Sequence, residues 1–226
     1  MMIKDRCLIV FVKYPQTGFV KTRIARRYGD DFAAGLYKEF VFDILEGMAR
    51  VPCRLQIYFD PPEKENSIKN LLGHSYQYLP QQGFDLGEKM KNAFGASFAG
   101  DFKTAVLIGS DCPDLPRRVI DEAFDALDHQ NDAVIGPASD GGYYLIGFKK
   151  NTVLPDAFWG LSWGTPDVFS DAMNILRDRL SRISVLQEWR DVDTGKDLAD
   201  LFEKSKSTTF AHSRTMRYLK KSDIFR

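Results

Sequence analysis

The sequence predicts an α/β fold in which a mostly parallel, mixed central sheet lies between two layers of helices. Three observations support this three-layer α/β/α sandwich. Short apolar runs alternate with longer segments whose apolar residues recur at helical spacing, which is typical of βαβ units. The chain has 226 residues, enough for one large α/β domain with an extensive core. One apolar run ends abruptly in carboxylates, as strands do at the ligand-binding edge of an open sheet.

The composition limits the class of protein. Hydrophobic residues make up 44% of the chain and charged residues 27%, which is ordinary for a soluble globular protein. Lys+Arg and Asp+Glu both number 31, so we expect no general attraction to nucleic acid or anionic membrane. Three cysteines without a Cys-x-x-Cys pair favour a reducing compartment. The N-terminal apolar run is too short to span a bilayer and lacks a signal cleavage site, so we expect a cytoplasmic protein.

Hydrophobic patterning divides the first half of the chain into strands and amphipathic helices. The first predicted strand covers residues 7–12, and a polar loop follows it to Thr22. Apolar side chains recur at helical spacing between Phe32 and Met48 and predict a helix over 31–49. Consecutive prolines after Asp60 end a strand that begins near Arg54. The remaining predicted elements of this half are a short helix over 63–72, a strand over 76–79 and a helix over 85–98.

The second half continues the alternation. A strand over 105–108 carries carboxylates at its end, and Pro116 suits the first turn of a helix that runs to about residue 127. The other predicted elements are strands over 133–135, 143–148 and 183–186 and helices over 166–180 and 197–202. From residue 205 the pattern weakens. We therefore predict one domain over 1–204 and a C-terminal extension of the same domain over 205–226, with a short helix around Met216.

The loop after the first strand is basic and contains a glycine. Lys13, Lys21 and Arg23 place three cations near one another, and Gly18 permits a tight turn or a close approach of the backbone to a ligand. Backbone N–H groups and cations in such loops hold phosphates in many folds. The Gly-Lys-Ser/Thr order of a Walker A loop is absent. A solvated basic turn is the alternative interpretation.

The strand over 105–108 delivers Asp111 and Asp114 to the sheet edge. Mg²⁺ prefers one or two carboxylates together with substrate phosphates and needs no closed protein cage. Asp114 is equally well explained as the cap of the helix that begins near Pro116. Asp111 is therefore the predicted metal ligand, with Asp114 as a helper or a cap.

Two further segments are rich in carboxylates. Asp140 with Gly141 and Gly142 precedes a strand, and Asp-Gly is a strong hairpin signal that is also compatible with a substrate lying close to the backbone. In the second segment, Asp193 or Thr194 can cap the following helix, but three carboxylates over residues 191–197 exceed what a cap requires. Asp193 completes the metal site of the 111 loop if the two loops meet at one sheet edge.

Other candidates are weaker. The aromatic, glycine-rich segment 159–165 is compatible with a lid or a wall of an acceptor site, and equally with core and turn roles. Cys112 lies in the carboxylate loop without an evident base, which favours packing over nucleophilic chemistry. The three histidines, at positions 74, 129 and 212, lack ligand spacing, so we expect neither a zinc site nor a histidine-based triad.

Taken in order, these loops resemble the nucleotide-diphospho-sugar transferase superfamily, which has the GT-A fold. More narrowly, the chain resembles a bacterial family of glycosyltransferase-like proteins related to the phospholactate guanylyltransferases. The resemblance covers roughly residues 5–203. Its motifs are Phe11-Val12-Lys13-Tyr14-Pro15 with Gly18 and Lys21-Thr22-Arg23, Gly109-Ser110-Asp111-Cys112-Pro113-Asp114-Leu115, Asp140-Gly141-Gly142-Tyr143-Tyr144-Leu145-Ile146-Gly147, and Asp191-Val192-Asp193-Thr194.

The resemblance implies a Rossmann-like fold and a role for each motif. The implied nucleotide-binding residues are Lys13, Gly18, Lys21, Arg23 and Ser110. The implied substrate-binding residues are Asp140, Gly141, Gly142 and Tyr143. Asp111 and Asp193 would hold Mg²⁺ or Mn²⁺, and Asp111 and Lys21 would be catalytic. Two departures are that Gly195 stands where relatives usually carry proline, and that the Gly-Gly-rich first loop of the molybdenum-cofactor guanylyltransferases is missing.

The leading hypothesis is a divalent-metal-dependent transferase that uses a nucleotide-activated substrate, with an NDP-sugar glycosyltransferase as its specific form. The alternative is a nucleotidyltransferase that joins an NTP to a phosphorylated acceptor and releases pyrophosphate. A third hypothesis is a non-catalytic nucleotide-binding protein on the same fold. The expected partners are a nucleotide or nucleotide-sugar and a small-molecule acceptor, and formation of a homodimer stays open.

Overall fold

The computed structural model describes residues 5–222, 224 and 225. The strands are β1 (Arg6–Lys13), β2 (Arg54–Asp60), β3 (Gln77–Pro80), β4 (Thr104–Ile108), β5 (Ala133–Pro137), β6 (Tyr143–Lys149) and β7 (Ile183–Val185). The α-helices are α1 (Thr22–Tyr28), α2 (Asp30–Met48), α3 (Glu65–Leu72), α4 (Leu86–Ala99), α5 (Arg117–Asp128), α6 (Val168–Arg179), α7 (Gly195–Ser205) and α8 (Arg214–Ser222).

The strands form one seven-stranded sheet in the order β3-β2-β1-β4-β6-β5-β7. Strand β6 is antiparallel to both of its neighbours, whereas the other paired strands are parallel. The segment between β5 and β6 is the hairpin that Asp-Gly predicts. Because β6 runs against β4, its first residues lie at the edge where β1 and β4 end.

Side chains alternate along each strand between two cores, one on each face of the sheet. On β1, Leu8 and Val10 belong to the core beneath α2 and α5, whereas Ile9 and Phe11 belong to the core beneath α4 and α6. Both faces are therefore covered, as parallel sheets require. The predicted three-layer α/β/α sandwich with a mixed sheet is confirmed.

Two elements differ from the sequence prediction. The sequence pattern assigns no element between the loop that ends at Thr22 and the predicted helix over 31–49, where the structure has the short helix α1. It buries only Ile24 and Ala25 and is separated from α2 by Gly29, whose φ is +89°. Strand β7 is not a core strand but the outermost one. It spans three residues and leaves Val185 49% exposed, because β5 is its partner on one side and no further strand follows in the sheet order.

The C-terminal segment packs against the larger core. Asp43 of α2 accepts hydrogen bonds from the backbone N–H groups of Arg214 and Thr215, both at 2.8 Å, at the start of α8. Met216 and Leu219 of α8 are buried in the same core. The predicted domain and its extension also include residues 1–4, 223 and 226, which lie outside the described residues. Within the described chain, none of the helices has the length and apolarity needed to cross a membrane.

Candidate active site

A cavity of about 480 Å³ opens at the edge of the sheet where β1 and β4 end. Lys13 closes β1, Asp111 follows β4, and Tyr143 begins the antiparallel β6, so all three reach the same edge. The cavity volume falls in the range typical of small-molecule sites. Ligands of open α/β sheets bind at this edge, where loops from several strands converge.

Lys21 occupies the centre of the polar side of this cavity. Its Nζ lies 2.5 Å from Asp111 Oδ1 and 2.7 Å from Asp193 Oδ1, and its side chain is only 3% exposed. The same ammonium lies 5.6 Å from the centre of the Phe40 ring. Loops that are distant in sequence therefore meet on one buried cation.

The backbone of Lys21 is strained. Its φ and ψ are 47° and 43°, in the left-handed region that non-glycine residues rarely adopt. Such conformations cost roughly 1–3 kcal/mol and persist where the surroundings over-determine them. Here the conformation directs the side chain inward between two carboxylates, while Thr22 starts α1. The strained residue is thus the one whose buried ammonium joins the 111 and 193 loops.

The ionisation of the pair follows from burial and mutual attraction. Desolvation by itself would raise the pKa of Asp111, but the Lys21 ammonium outweighs it and the pKa of that carboxyl is lowered. Desolvation would likewise lower the pKa of Lys21, but the charges of Asp111 and Asp193 raise it above its usual range. Lys21 and Asp111 therefore stabilise each other's charged forms.

Backbone and hydroxyl contacts hold these loops in place. The backbone N–H of Val192 donates to the Asp111 carbonyl oxygen at 2.9 Å, which fixes the 191–193 segment against the end of β4. The hydroxyl oxygen of Tyr37 accepts a hydrogen bond from the Lys13 N–H at 3.0 Å, and it lies 2.6 Å from the buried Ser110 hydroxyl. A tyrosine on α2 thus ties the end of β1 to the end of β4.

Asp191 adds another titratable group to the cavity wall. The Cys112 thiol donates to Asp191 Oδ1 at 2.9 Å, and both residues line the cavity. Burial, together with the charges of Asp111 and Asp140 and against the Cys112 hydrogen bond, raises the pKa of Asp191 to about 7. Burial and the Asp191 carboxyl raise the pKa of the Cys112 thiol well above its usual value. Cys112 is therefore a neutral thiol that packs and donates, as expected from sequence.

Most of the residues predicted to form the site line this one cavity. The two exceptions are Gly18 and Gly141. Gly18 lies in the exposed turn after β1, where its φ of +82° serves the turn. Gly141 packs against Pro166 and does not line the cavity, since a Cβ at this position would lie 2.1 Å from the Pro166 carbonyl oxygen. The residues that do line the cavity are Lys13, Lys21, Arg23, Ser110, Asp111, Asp140, Gly142, Tyr143 and Asp193.

The capping role proposed for Asp114 is wrong. Helix α5 begins after Pro116 and has no side-chain cap, and Asp114 Oδ1 accepts a hydrogen bond from Trp189 Nε1 at 3.0 Å. Asp114 is also not among the residues that line the cavity. The i and i+3 spacing does not bring the two carboxylates to one point, because Asp111 pairs with Lys21 whereas Asp114 bonds to Trp189.

Some site residues have only a weak signal in the sequence. Tyr37 lies within an amphipathic helix, where the sequence indicates only a core residue. The tertiary contacts place its hydroxyl between the ends of two strands. Asp191 stands out only through the excess of carboxylates around Asp193. Trp163 belongs to the aromatic segment 159–165, for which the sequence is compatible with a lid, a site wall, or core and turn roles. The structure places Trp163 in the cavity wall.

The chemistry of the donor atoms fits a divalent cation held in part by a ligand. Asp111 Oδ1 and Asp193 Oδ1 converge on a single point, now taken by the Lys21 ammonium. Among the described residues no group of three or more histidine, cysteine or acidic side chains is arranged to hold a metal. Two carboxylates without a closed cage suit Mg²⁺ or Mn²⁺ bound together with phosphates, and do not suit zinc.

A family profile described as "uncharacterized protein conserved in bacteria" (DUF2064) matches residues 44–165 of the chain, more than half of its length. The chain belongs to this family. The matched region contains the β4 loop with Asp111 and the hairpin with Asp140, whereas the basic loop and Asp193 lie outside it. A comparison with curated proteins found no match.

Several solved structures are similar to this chain. A protein from Desulfovibrio desulfuricans G20, provisionally described as a nucleotide-diphospho-sugar transferase, is 42% identical; the alignment covers 99% of this chain and 96% of that protein, with a TM-score of 0.93. Two more distant structures share the fold. The 4-diphosphocytidyl-2C-methyl-D-erythritol synthase from Anaerococcus prevotii DSM 20548 is 13% identical, with a TM-score of 0.57. The alignment covers 86% of this chain and 95% of that protein. A cytidylyltransferase from Leptospira borgpetersenii is 12% identical, with a TM-score of 0.53 and coverage of 98% and 95%.

Proposed function

We propose that this protein is a divalent-metal-dependent transferase that uses a nucleotide-activated substrate, specifically an NDP-sugar glycosyltransferase. The observation that carries the proposal is the convergence of Lys21, Asp111 and Asp193 in a cavity at the carboxyl edge of the sheet. The Desulfovibrio desulfuricans protein, at 42% identity over nearly the whole chain, supports transfer from a nucleotide-diphospho-sugar.

Each charged group has a role in this proposal. Lys13 and Arg23 line the cavity mouth and supply cations for the diphosphate. Asp111 and Asp193 would hold Mg²⁺ or Mn²⁺, which stabilises the negative charge that develops on the leaving diphosphate. Lys21 neutralises both carboxylates in the ligand-free cavity and would pair with phosphate oxygens when a metal ion and nucleotide bind.

A nucleotidyltransferase that joins an NTP to a phosphorylated acceptor is the second candidate. The observation that favours it is the three cations that line one side of the cavity, because an NTP brings more negative charge than an NDP-sugar. Product analysis separates the two reactions. Pyrophosphate released from an NTP and a phosphate ester indicates nucleotidyl transfer, whereas free NDP from an NDP-sugar indicates glycosyl transfer.

The test is isothermal titration calorimetry with a panel of nucleoside diphosphates and NDP-sugars, with and without Mn²⁺. We expect at least one nucleotide to bind in a Mn²⁺-dependent manner and the Asp111→Asn variant to lose about tenfold or more of that affinity, because a charge-assisted contact is worth about 1.5–3 kcal/mol. Asp178→Asn, on the exposed face of α6, is the matched control. Metal-independent binding that Asp111→Asn leaves unchanged would contradict the proposal.

Lys21→Met gives an independent readout of the same site. Removal of the ammonium should weaken nucleotide binding, yet tighten binding of Mn²⁺ alone, because two carboxylates lose the cation that competes for them. Electron paramagnetic resonance measures the concentration of unbound Mn²⁺ and therefore gives the affinity of the protein for Mn²⁺ without nucleotide. Lys91→Met, an exposed position on α4, is the control. Weaker binding of both nucleotide and free Mn²⁺ by Lys21→Met would indicate a purely structural role for Lys21.

A further inference from the structure

The charges that line the cavity are unevenly distributed. All of its described cationic lining residues, Lys13, Lys21 and Arg23, come from the end of β1 and the start of α1. The opposite wall comes from α4, the β5–β6 hairpin and the segment that leads into α6. Among the described residues of this wall, Asp140 carries the charge, and its carboxylate is exposed. Asp191 also lines the cavity.

The opposite wall contains two aromatic rings. The rings of Tyr143 and Trp163 meet edge to face, with centroids 6.1 Å apart, and the Tyr143 hydroxyl lies 3.8 Å from Met90 Sδ. These side chains pack against the smaller of the two cores, so the wall is supported from behind. An aromatic surface is thus present in the cavity, apart from the cationic side chains at the end of β1 and the start of α1.

Packing at Gly87 holds this wall in position. A Cβ at that residue would lie 2.1 Å from the Phe158 carbonyl oxygen and 3.1 Å from the Trp163 ring. The segment 158–165 therefore rests directly on the first turn of α4. The wall is preformed and does not need a ligand to assemble it.

Hydrogen-bonding groups flank the aromatic surface. Asp140 Oδ1 accepts from the backbone N–H of Gly142 at 2.9 Å, which orients the carboxylate at the cavity mouth. The Thr165 hydroxyl also lines the cavity and donates to the Ser162 carbonyl oxygen at 2.9 Å. Carboxylate and hydroxyl oxygens accept hydrogen bonds from hydroxyl groups, whereas a phosphate placed here would face Asp140 without a compensating cation.

We infer that the acceptor is an unphosphorylated, hydroxyl-bearing compound whose apolar face packs on Trp163 and Tyr143. This inference rests on the proposed transferase function and narrows it. The three cations suffice for the diphosphate of the donor and leave none for a phosphorylated acceptor. Aromatic rings and a carboxylate together suit a sugar or another cyclic polyol, which presents C–H groups on one face and hydroxyls at its edge.

The test uses a matched pair of probes, phenyl β-D-glucoside and its 6-phosphate, in the presence of Mg²⁺ and the nucleotide that binds most tightly. Ligand-detected NMR competition gives the dissociation constants. We expect the unphosphorylated compound to bind about tenfold more tightly, because both probes share the aromatic contact and only the 6-phosphate would face the Asp140 carboxylate without a compensating cation. Tighter binding of the 6-phosphate, or no binding of either probe below about 10 mM, would overturn the inference.

Two variants locate the effect on the wall. Trp163→Ala should weaken binding of the glucoside about tenfold and leave nucleotide affinity within about twofold, whereas Trp159→Ala, at an exposed position outside the cavity lining, should change neither. Equal loss of nucleotide and glucoside would show that Trp163 supports the nucleobase instead.

Thr165→Lys places a cation on the wall without removing a packed ring. It should raise the affinity for the 6-phosphate relative to the glucoside. The absence of this shift would count against the inference. The nucleotide titration keeps the two proposals apart. Loss of Mn²⁺-dependent nucleotide binding defeats the transferase proposal, whereas normal nucleotide binding with reversed probe preference defeats only the acceptor class.

Discussion

The carboxylates in this cavity have different electrostatic environments. The groups concerned are Asp111, Asp193 and Asp191, with Lys21 as their neighbouring cation. Asp111 and Asp193 both face the Lys21 ammonium, which outweighs desolvation and lowers the pKa of Asp111, whereas Asp191 faces a thiol and other carboxylates. Its pKa is therefore raised to about 7, mainly by burial. Carboxylates two positions apart in sequence thus have opposite electrostatic environments because one of them reaches the buried cation and the other does not.

We expect Asp191 to make folding stability depend on pH. The folded protein retains the Asp191 proton up to about pH 7, whereas the unfolded chain releases it near pH 4, so the free energy of unfolding should fall as pH rises between these values. Asp191→Asn keeps an acceptor for Cys112 but cannot ionise. It should remove a loss on the order of 4 kcal/mol in the free energy of unfolding between pH 4 and pH 8, since each unit of pKa difference is worth about 1.4 kcal/mol.

Urea denaturation in metal-free buffer over this pH range measures the effect. Asp178→Asn on α6 is the matched control, because that aspartate is exposed. Parallel pH profiles for the wild-type protein and Asp191→Asn would show that folding does not change the pKa of Asp191.

At the scale of the element, helix α7 positions a carboxylate through its first turn. Thr194 caps α7 and forms a reciprocal capping box with Asp197, whose Oδ2 accepts from the Thr194 N–H at 2.9 Å. The same oxygen lies 3.4 Å from the Asp193 backbone nitrogen. The cap therefore orders the residue that presents its side chain to Lys21, so helix geometry and cavity geometry are coupled.

Asp197→Ala should lower the free energy of unfolding by about 1 kcal/mol, the typical cost of losing a cap. It should also weaken Mn²⁺-dependent nucleotide binding, because the Asp193 backbone loses a restraint. Urea denaturation and calorimetry measure the two effects. Asp178→Ala, within α6, should change stability by less than about 0.5 kcal/mol. An effect on stability without any effect on binding would show that the cap does not position Asp193.

At the scale of the whole molecule, a single sheet separates two cores. Trp189 packs against the core beneath α2 and α5, whereas Trp163 packs against the core beneath α4 and α6. The strands contribute alternate side chains to both cores, so neither can be exposed without disrupting the other. The C-terminal helix α8 joins the larger core through Asp43 and two buried apolar side chains.

We therefore expect both cores to unfold in one cooperative transition. The Trp159→Phe/Trp189→Phe variant reports on Trp163, and the Trp159→Phe/Trp163→Phe variant reports on Trp189. Each fluorescence transition in urea should coincide with loss of helix in the circular dichroism of the same variant. A Trp163 signal lost at a urea concentration where the circular dichroism is still native would indicate that the smaller core opens independently.

Local pattern was sufficient to predict most of the fold. The period of the apolar residues identified all seven strands and most of the helices, because each strand or helix must bury a face with its own repeat. The pattern did not reveal α1, which is short and largely solvated, or the edge position of β7, since neither is specified by apolar periodicity. The basic loop, the β4 carboxylate and the Asp193 segment were recognisable because their charges exceed what turns and caps require.

What only the tertiary structure decided is which of these groups meet. Sequence spacing grouped Asp111 with Asp114, yet the turn after β4 sends Asp114 to Trp189 and brings Asp111 to Lys21. Gly141 adjoins cavity residues in sequence but packs on Pro166. The charge asymmetry between the cavity walls likewise depends on strand order and on the antiparallel β6. The physical reason is that the hydrophobic period is a local property of the chain, whereas a site is defined by contacts between strand ends that are far apart in sequence.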